Sequence, residues 1–157
     1  MSAPHDLPVS HCASVLCRVS AHEALAFLAD GLRLGQWALG CWQTELVGDG
    51  VVRGRSLFDD QPSWGRPVAD PARLTVVYHV GSAPDALSPR ISAVVEPGEA
   101  TGDGSDCCRI SLHATRTSGM DDARWLQLMR CHEVEVLLIQ ARLIVSRAVP
   151  DSRVSPH

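Results

Sequence analysis

The feature that most constrains this chain is its last long periodic stretch, residues 121–147, which reads as one helix about 40 Å long at about 1.5 Å per residue. With about 100° between successive residues, Trp125, Leu128, Met129, His132, Val136, Ile139 and Leu143 fall on one stripe. Asp121 and Asp122 open the helix, Arg142 and Arg147 close it, and Pro150 prevents continuation, so both ends suit the helix dipole. A helix of this length with one apolar stripe must lie on a broad apolar surface. His132 stands mid-stripe where a purely structural residue would be Leu or Ile, so the centre of what the helix covers is expected to be partly polar.

The rest of the chain reads as the material for that surface. Ala13, Val15, Cys17 and Val19 alternate over residues 11–20, the period of a strand with one buried face. Ser20 with Glu23 three residues later is a capping box for a short helix over 21–30, with Gly31 as its stop. A second short helix is expected over 32–39, closed by Gly40, with Leu34, Trp37 and Ala38 on its apolar side. From Cys41 the period becomes two. Trp42, Thr44 and Leu46 share one strand face, Gly48-Asp49-Gly50 supplies a turn, and Val52, Gly54, Ser56 and Phe58 return as a hairpin. Residues 59–71, rich in Pro, Gly and Asp around Trp64, read as a long loop with at most a short edge strand near Val68. Strands follow over 73–80 (Leu74, Val76, Tyr78, Val80), 89–96 (Ile91, Ala93, Val95) and 107–117 (Cys108, Ile110, Leu112, Ala114, Arg116), with a flexible connection at 97–106.

This order predicts an α+β fold: six to seven antiparallel strands curved around one long C-terminal helix, with two short helices after the first strand. At 157 residues, 45% hydrophobic and 20% charged, the chain suits a single domain, placed at 10–148 with flexible tails at 1–9 and 149–157. The net charge is −4 and all fourteen basic residues are arginines scattered among acids, so a nucleic-acid partner is not expected. No stretch approaches the ~20 apolar residues of a membrane span and residues 1–10 lack a signal pattern, so a cytoplasmic protein without stable membrane insertion is the expectation. The six cysteines lack the spacing of a disulfide scaffold and read as reduced thiols.

Taken together, the segment Ser20-Ala21-His22-Glu23-Ala24-Leu25-Ala26-Phe27-Leu28, Trp37, the run Gly48-Asp49-Gly50-Val51-Val52-Arg53-Gly54-Arg55, Arg73-Leu74-Thr75-Val76-Val77-Tyr78 and the helix opening Met120-Asp121-Asp122-Ala123-Arg124-Trp125 resemble the SRPBCC superfamily, also called START-like or helix-grip proteins. The resemblance lies nearest its polyketide cyclase/dehydrase-like branch and covers nearly all of the domain, carried by the order of elements. It implies a curved antiparallel sheet gripping the C-terminal helix around an apolar cavity for lipids, polyketides or other hydrophobic molecules. It implies no single reaction, since members bind, transport, cyclise or assist chaperones on one fold.

The glycines of 48–54 open a strand and not a helix, which speaks against a phosphate loop. Cys12 and Cys17, and Cys107 and Cys108, point to opposite faces of their strands, and no Cys-x-x-Cys or His-x-x-x-His occurs, so neither a metal site nor a cofactor is expected. No hydrolase elbow is present. What remains is a set from separated segments expected to line one volume: Trp37, Trp42, Tyr78, Leu112, Ala114, Arg116, Trp125, Met129, His132 and Val136. An apolar wall with a few polar groups suits a small-molecule pocket, and the same residues equally suit a solid core. Within the set, His132 and Tyr78 are the candidates for acid–base catalysis of a cyclase, aromatase or dehydratase type. Glu133 and Glu135 are expected to reach solvent or an arginine such as Arg130, and Trp64 to lid the cavity or staple the surface.

Three functions therefore stay open: binding of a hydrophobic small molecule, polyketide-type catalysis, and a dimeric interaction or chaperone-accessory module. The last follows from Val134, Leu137, Leu138, Ala141 and Val145, which are apolar yet turned away from the Trp125 stripe. A homodimer with Val134, Leu138, Ala141 and Val145 at or near its interface is the expectation from that face.

Overall fold

The structure, a computed structural model, describes residues 6–148. The expectations for 1–5 and 149–157 lie outside the described residues. The elements are β1 (Ser10–Cys17), α1 (Ala21–Ala29), α2 (Gly31–Leu34), β2 (Trp42–Gly48), β3 (Val51–Arg55), β4 (Pro62–Asp70), β5 (Thr75–Gly81), β6 (Ser88–Pro97), α3 (Gly98–Thr101), β7 (Cys108–Thr115) and α4 (Asp122–Ala148). The strands form one antiparallel sheet in the order β1-β7-β6-β5-β4-β3-β2, so each strand pairs with its chain neighbour except β1, which closes on β7. The α4 helix lies across β1 and β7, while α1 and α2 cover the middle and the far side. This is the α+β helix-grip arrangement expected.

The alternation read from sequence sets which side of the sheet is buried. Val76 and Tyr78 of β5, Ala93 and Val95 of β6, and Ile110, Leu112 and Ala114 of β7 all turn inward, as do Trp125, Met129, His132, Val136, Ile139 and Leu143 of α4. Asp121 caps α4: its carboxylate accepts the Arg124 amide at 2.8 Å and its carbonyl accepts the Trp125 amide at 3.0 Å. Ser20 caps α1 by accepting the Glu23 amide at 3.2 Å, as the capping box required.

Five expectations change. The α1 helix ends at Ala29, and Gly31 does not stop it; Gly31 begins α2, capped by the Asp30 carboxylate on the Leu32 amide at 2.9 Å. A glycine stands at 31 because a Cβ there would lie 2.7 Å from Cγ1 of Val52. The α2 helix is a single turn instead of spanning 32–39, since the Gly35 carbonyl accepts the amide of Gln43 from β2 at 2.9 Å, and residues 35–40 continue as turns.

The segment 59–71 is not a long loop. Most of it is β4, with Trp64 half-buried and facing Arg53 and Gly81 in the neighbouring strands. Strand β3 covers only Pro62 to Gly65, so Pro67 falls where one side of β4 has no strand partner and a missing amide hydrogen is tolerated. Residues 97–106, expected to be flexible, are folded: α3 sits there, Gly98 donates to the Cys107 carbonyl at 2.8 Å, and Asp103 accepts from Arg109 at 3.1 Å and from the Thr101 hydroxyl. Pro8 and Val9, placed in the N-terminal tail, are tied down; the Val9 carbonyl accepts the Arg116 amide at 2.8 Å.

Candidate functional site

Of the ten residues expected to line one volume, seven fall into two packed groups. Trp37, Tyr78, Leu112 and Val136 belong to the main core with α1 and the sheet, while Ala114, Trp125 and Met129 form a smaller cluster with Leu7, Met120, Leu126 and Leu128. Trp42 is half-buried on β2, the edge opposite β1, and stands apart from the α4 residues. Side chains thus fill most of the space between sheet and helix, as the solid-core alternative describes.

Three members have their polar atoms committed to structure. Trp125 is fully buried and its indole N–H donates to the Pro8 carbonyl at 2.8 Å. Arg116 donates to the Met120 carbonyl at 3.0 Å and pairs with Asp122 at 2.6 Å, clamping the start of α4 to the end of β7. Tyr78 is likewise taken: its hydroxyl donates to the Leu28 carbonyl at 2.7 Å inside the core. Burial, reinforced by the charge of Glu135, holds the phenol well above its ordinary pKa. The acid–base pair of Tyr78 with His132 is therefore not assembled, because the tyrosine proton is bound to a helix carbonyl.

The unusual chemistry is elsewhere in the interior. His132 is fully buried and neither ring nitrogen has a partner among the described residues. Its ring lies 6.0 Å from that of His11 on β1, tilted by 31°, and His11 Nδ1 is also buried without a partner. His11 Nε2 is 3.8 Å from the Glu133 carboxylate at the surface. Burial, with His11 adding to it, pushes the His132 imidazole down to about 4, so at neutral pH it is uncharged, with one nitrogen a donor and the other an acceptor.

A second corner joins the turn after α2 to α4. Trp37 is buried with its indole N–H unpartnered, its ring edge-on to Tyr78 at 5.5 Å and 74°. Two residues on, the Leu39 amide donates to Oε2 of Glu135 at 3.4 Å. Glu135 was expected at the surface but is 6% exposed, and burial raises its carboxyl to about 8 against the smaller opposing effect of the Leu39 bond. Sequence reasoning missed Glu135 because its wheel position lies on the flank of the stripe, where a few degrees of helix rotation decide between core and solvent. Its signal would have been that no basic residue follows or precedes it at the helical spacings of four.

Two surface clefts accompany this interior. One of about 480 Å³ runs between α1 and the C-terminal half of α4, over Val19, Ala26, Phe27 and Leu143, with Glu23, Asp30 and Arg33 at its rim. The other, about 280 Å³, is lined by Val77, Ser92 and His113 of β5, β6 and β7 on the outer side of the sheet, together with Ile91 and Ala114. No helix among the described residues is long and apolar enough to cross a membrane.

No family model and no curated protein matches the chain by sequence. Solved structures do match by shape. The Zhui aromatase/cyclase from Streptomyces sp. R1128 superposes with a TM-score of 0.63 at 16% identity, over 89% of this chain and 96% of that one. The di-domain ARO/CYC BexL from the BE-7585A biosynthetic pathway gives 0.64 at 16% identity, over 89% of this chain and 48% of that one. The Aha1 dimer from Colwellia psychrerythraea gives 0.62 at 15% identity, over 90% of this chain and all (100%) of that one. The chain therefore shares the fold of these solved proteins, one antiparallel sheet covered by a long C-terminal helix, which is the fold the sequence resemblance implied.

Proposed function

We propose that this protein binds a hydrophobic small molecule between the sheet and α4, with Trp37, His132 and Glu135 as its polar contacts. The observation that carries this reading is the set of buried polar atoms without partners, Trp37 Nε1, both nitrogens of His132 and Nδ1 of His11. Each such atom costs about 1–3 kcal/mol when desolvated unpaired. They lie in two places, at the His11–His132 contact of β1 with α4 and at Trp37 beside Tyr78, both between the sheet and the helices that cover it. The solved structures of polyketide aromatase/cyclases on the same fold support the same class of ligand.

Because side chains occupy the interior, entry requires α1 and α4 to part, and the cleft over Phe27 and Leu143 is the natural line of separation. Catalysis by Tyr78 is not part of the reading, since its hydroxyl is committed to Leu28. The test is titration of the full chain with neutral polyaromatic and long-chain lipid probes, read by tryptophan fluorescence and by the imidazole nitrogen resonances of His132. Saturable quenching with a shift of the His132 resonances is expected. Unchanged resonances at high micromolar concentration of every probe would overturn it.

A second reading rests on a separate observation. The outer face of α4 exposes Val134 (47%), Leu137 (58%), Ile144 (59%) and Val145 (54%), an apolar stripe opposite the buried one. With exposed Ala141 between them, Val134, Leu137, Ala141 and Ile144 follow at spacings of three, four and three, those of a helix–helix seam. The occupant we assign is a second copy of this chain, and the solved dimer of Aha1 on this fold is consistent with that choice. Leu138, expected at the interface, is half-buried against the protein's own core, so Leu137 and Ile144 take its place.

A further inference from the structure

We propose that the outer face of the sheet carries a thiol-exchange site: Cys12 is its nucleophile, His113 the acceptor of the thiol proton, and Arg90 the contact for a carboxylate on a small peptide disulfide.

Cys12 on β1 and His113 on β7 stand directly opposite each other in the antiparallel register, and both are exposed. The Cys12 Sγ lies 3.7 Å from His113 Nε2 and 3.7 Å from the Ser14 hydroxyl, which is itself 2.8 Å from that of Ser111. A nucleophile within reach of a base is the arrangement that thiol chemistry needs, and the Ser14 hydroxyl is placed to donate to the sulfur once it is ionised. Two ligands are too few for a metal, and no group of three metal-binding side chains occurs among the described residues. The other thiols suit exchange less well. Burial holds Cys17 up at about 12 and Cys108 and Cys131 at about 11, and it raises Cys41, while Cys107 is half-buried.

The register carries the site on across the sheet. His113 faces Ser92 of β6, and Ser92 faces Val77 of β5, so Cys12, His113, Ser92 and Val77 form one row. The last three line the cleft of about 280 Å³ together with Arg90, Thr115 and Thr117, and no carboxylate is among its lining residues. Arg90 is the extra residue of a β-bulge: Tyr78 faces Ile91 but His79 faces Pro89, and a bulge re-aims the side chain it carries. Its Nε donates to the Ser88 hydroxyl at 3.3 Å, and it enters no ion pair among the described residues. Two strand spacings, about 10 Å, separate β1 from β6, a span that a peptide of about three residues covers. A thiol on such a peptide brings its carboxylate to Arg90 as its sulfur reaches Cys12.

In the exchange the Cys12 proton passes to His113 Nε2, and the Cys12 sulfur attacks one sulfur of the disulfide. The S–S bond breaks, its electron pair leaves on the second sulfur, and that thiolate takes the proton from His113. Cys12 is oxidised to a mixed disulfide and one peptide thiol is released reduced, so the peptide disulfide is the only oxidant required.

The experiment treats the full chain with oxidised glutathione or with cystamine, a disulfide bearing ammonium groups in place of carboxylates, and follows each cysteine by intact mass and peptide mapping. Glutathione is expected to label Cys12 first, Cys12→Ser to remove that label, and His113→Gln to slow both reagents by about tenfold or more. Arg90→Gln is expected to lower the ratio of the glutathione rate to the cystamine rate by about fivefold, the size of one exposed ion pair, since the intrinsic reactivities of the two reagents cancel in that comparison. Positions 90 and 113 are exposed, so the unfolding temperatures of these variants should match the wild type. First labelling at Cys107 or Cys131, a Cys12 rate untouched by His113→Gln, or a reagent ratio untouched by Arg90→Gln overturns the inference.

Discussion

The Tyr78 hydroxyl on β5 donates to the Leu28 carbonyl in the last turn of α1 at 2.7 Å, joining sheet to elbow through a bond that lies fifty residues apart in sequence and wholly inside the core. Near its C-terminus a helix has carbonyls without intrahelical partners, and here a tyrosine supplies one. Tyr78→Phe keeps the ring against Trp37 but strands that carbonyl, and is expected to cost about 1–3 kcal/mol in urea denaturation while leaving probe binding unchanged. Loss of binding with stability preserved would instead return Tyr78 to the ligand site.

This bond also marks how far sequence could see. The alternation of Leu74, Val76, Tyr78 and Val80 placed Tyr78 on the inner face, but alternation is silent on which polar atom waits across the core, since Leu28 comes from another element. The same holds for Trp125, whose burial followed from the helical period while its partner, Pro8, lay in a segment with no period at all. Strand β4 was hidden for a different reason. Its two prolines and its glycine are turn residues by local propensity, and pairing with β3 and β5 overrides that propensity. The elements with strong periodicity, β5 to β7 and α4, were legible. The polar corner at Glu135 was not, because it is set by helix rotation and by a backbone amide from the turn at Leu39.

Glu135 and His132, both on α4, push stability in opposite directions with pH. The Glu135 carboxyl goes from 4.5 to about 8 on folding, so the native state holds a proton the unfolded chain has released; its contribution is complete below 4.5 and lost as pH rises to 8. The His132 imidazole goes from 6.5 to about 4, so its contribution is complete above 6.5 and lost as pH falls to 4. Between 4.5 and 6.5 the slopes cancel, and between 6.5 and 8 Glu135 acts alone, lowering stability by about 2 kcal/mol. The other groups facing them are Tyr78, Cys131 and His11. The phenol and thiol are held above this window, Cys131 at about 11. Urea denaturation of Glu135→Gln is expected to lose the decline above 6.5, and His132→Phe to extend the decline down to 4.5. A wild-type midpoint flat from 6.5 to 8 would mean that Glu135 is ionised in the native state.

Gly35 and Gly40 bracket the turn that carries Trp37 and Leu39, and they should respond oppositely to one methyl group. A Cβ at 35 would lie 2.3 Å from the Thr44 amide nitrogen and 2.6 Å from its hydroxyl oxygen, whereas one at 40 meets nothing within 4 Å. The φ of −66° at Gly35 is ordinary for any residue, so close approach to β2 alone forbids a side chain there. Gly35→Ala is expected to lose about 1–3 kcal/mol, while Gly40→Ala stays within about 1 kcal/mol of the wild type. Thermal unfolding of the pair decides it, and an equal loss in both would show that the turn tolerates movement of β2.

The exposed stripe on α4 gives the remaining prediction. Replacing Leu137 or Ile144 with Glu adds a charge at positions 58% and 59% exposed, where a monomer should hardly notice it. In a dimer joined along that stripe, the same charge is desolvated without a counter-ion, and association should fail. Sedimentation equilibrium is expected to give a concentration-dependent dimer for the wild type and a monomer for Leu137→Glu, with unfolding temperatures alike. Leu46→Glu, 63% exposed on the β2 edge far from α4, serves as the control and should leave the dimer intact. A wild type that remains monomeric at high micromolar concentration sinks the dimer. Dissociation by Leu46→Glu in place of Leu137→Glu would move the interface to the opposite edge of the sheet, where β2 offers unpaired backbone groups to a second copy.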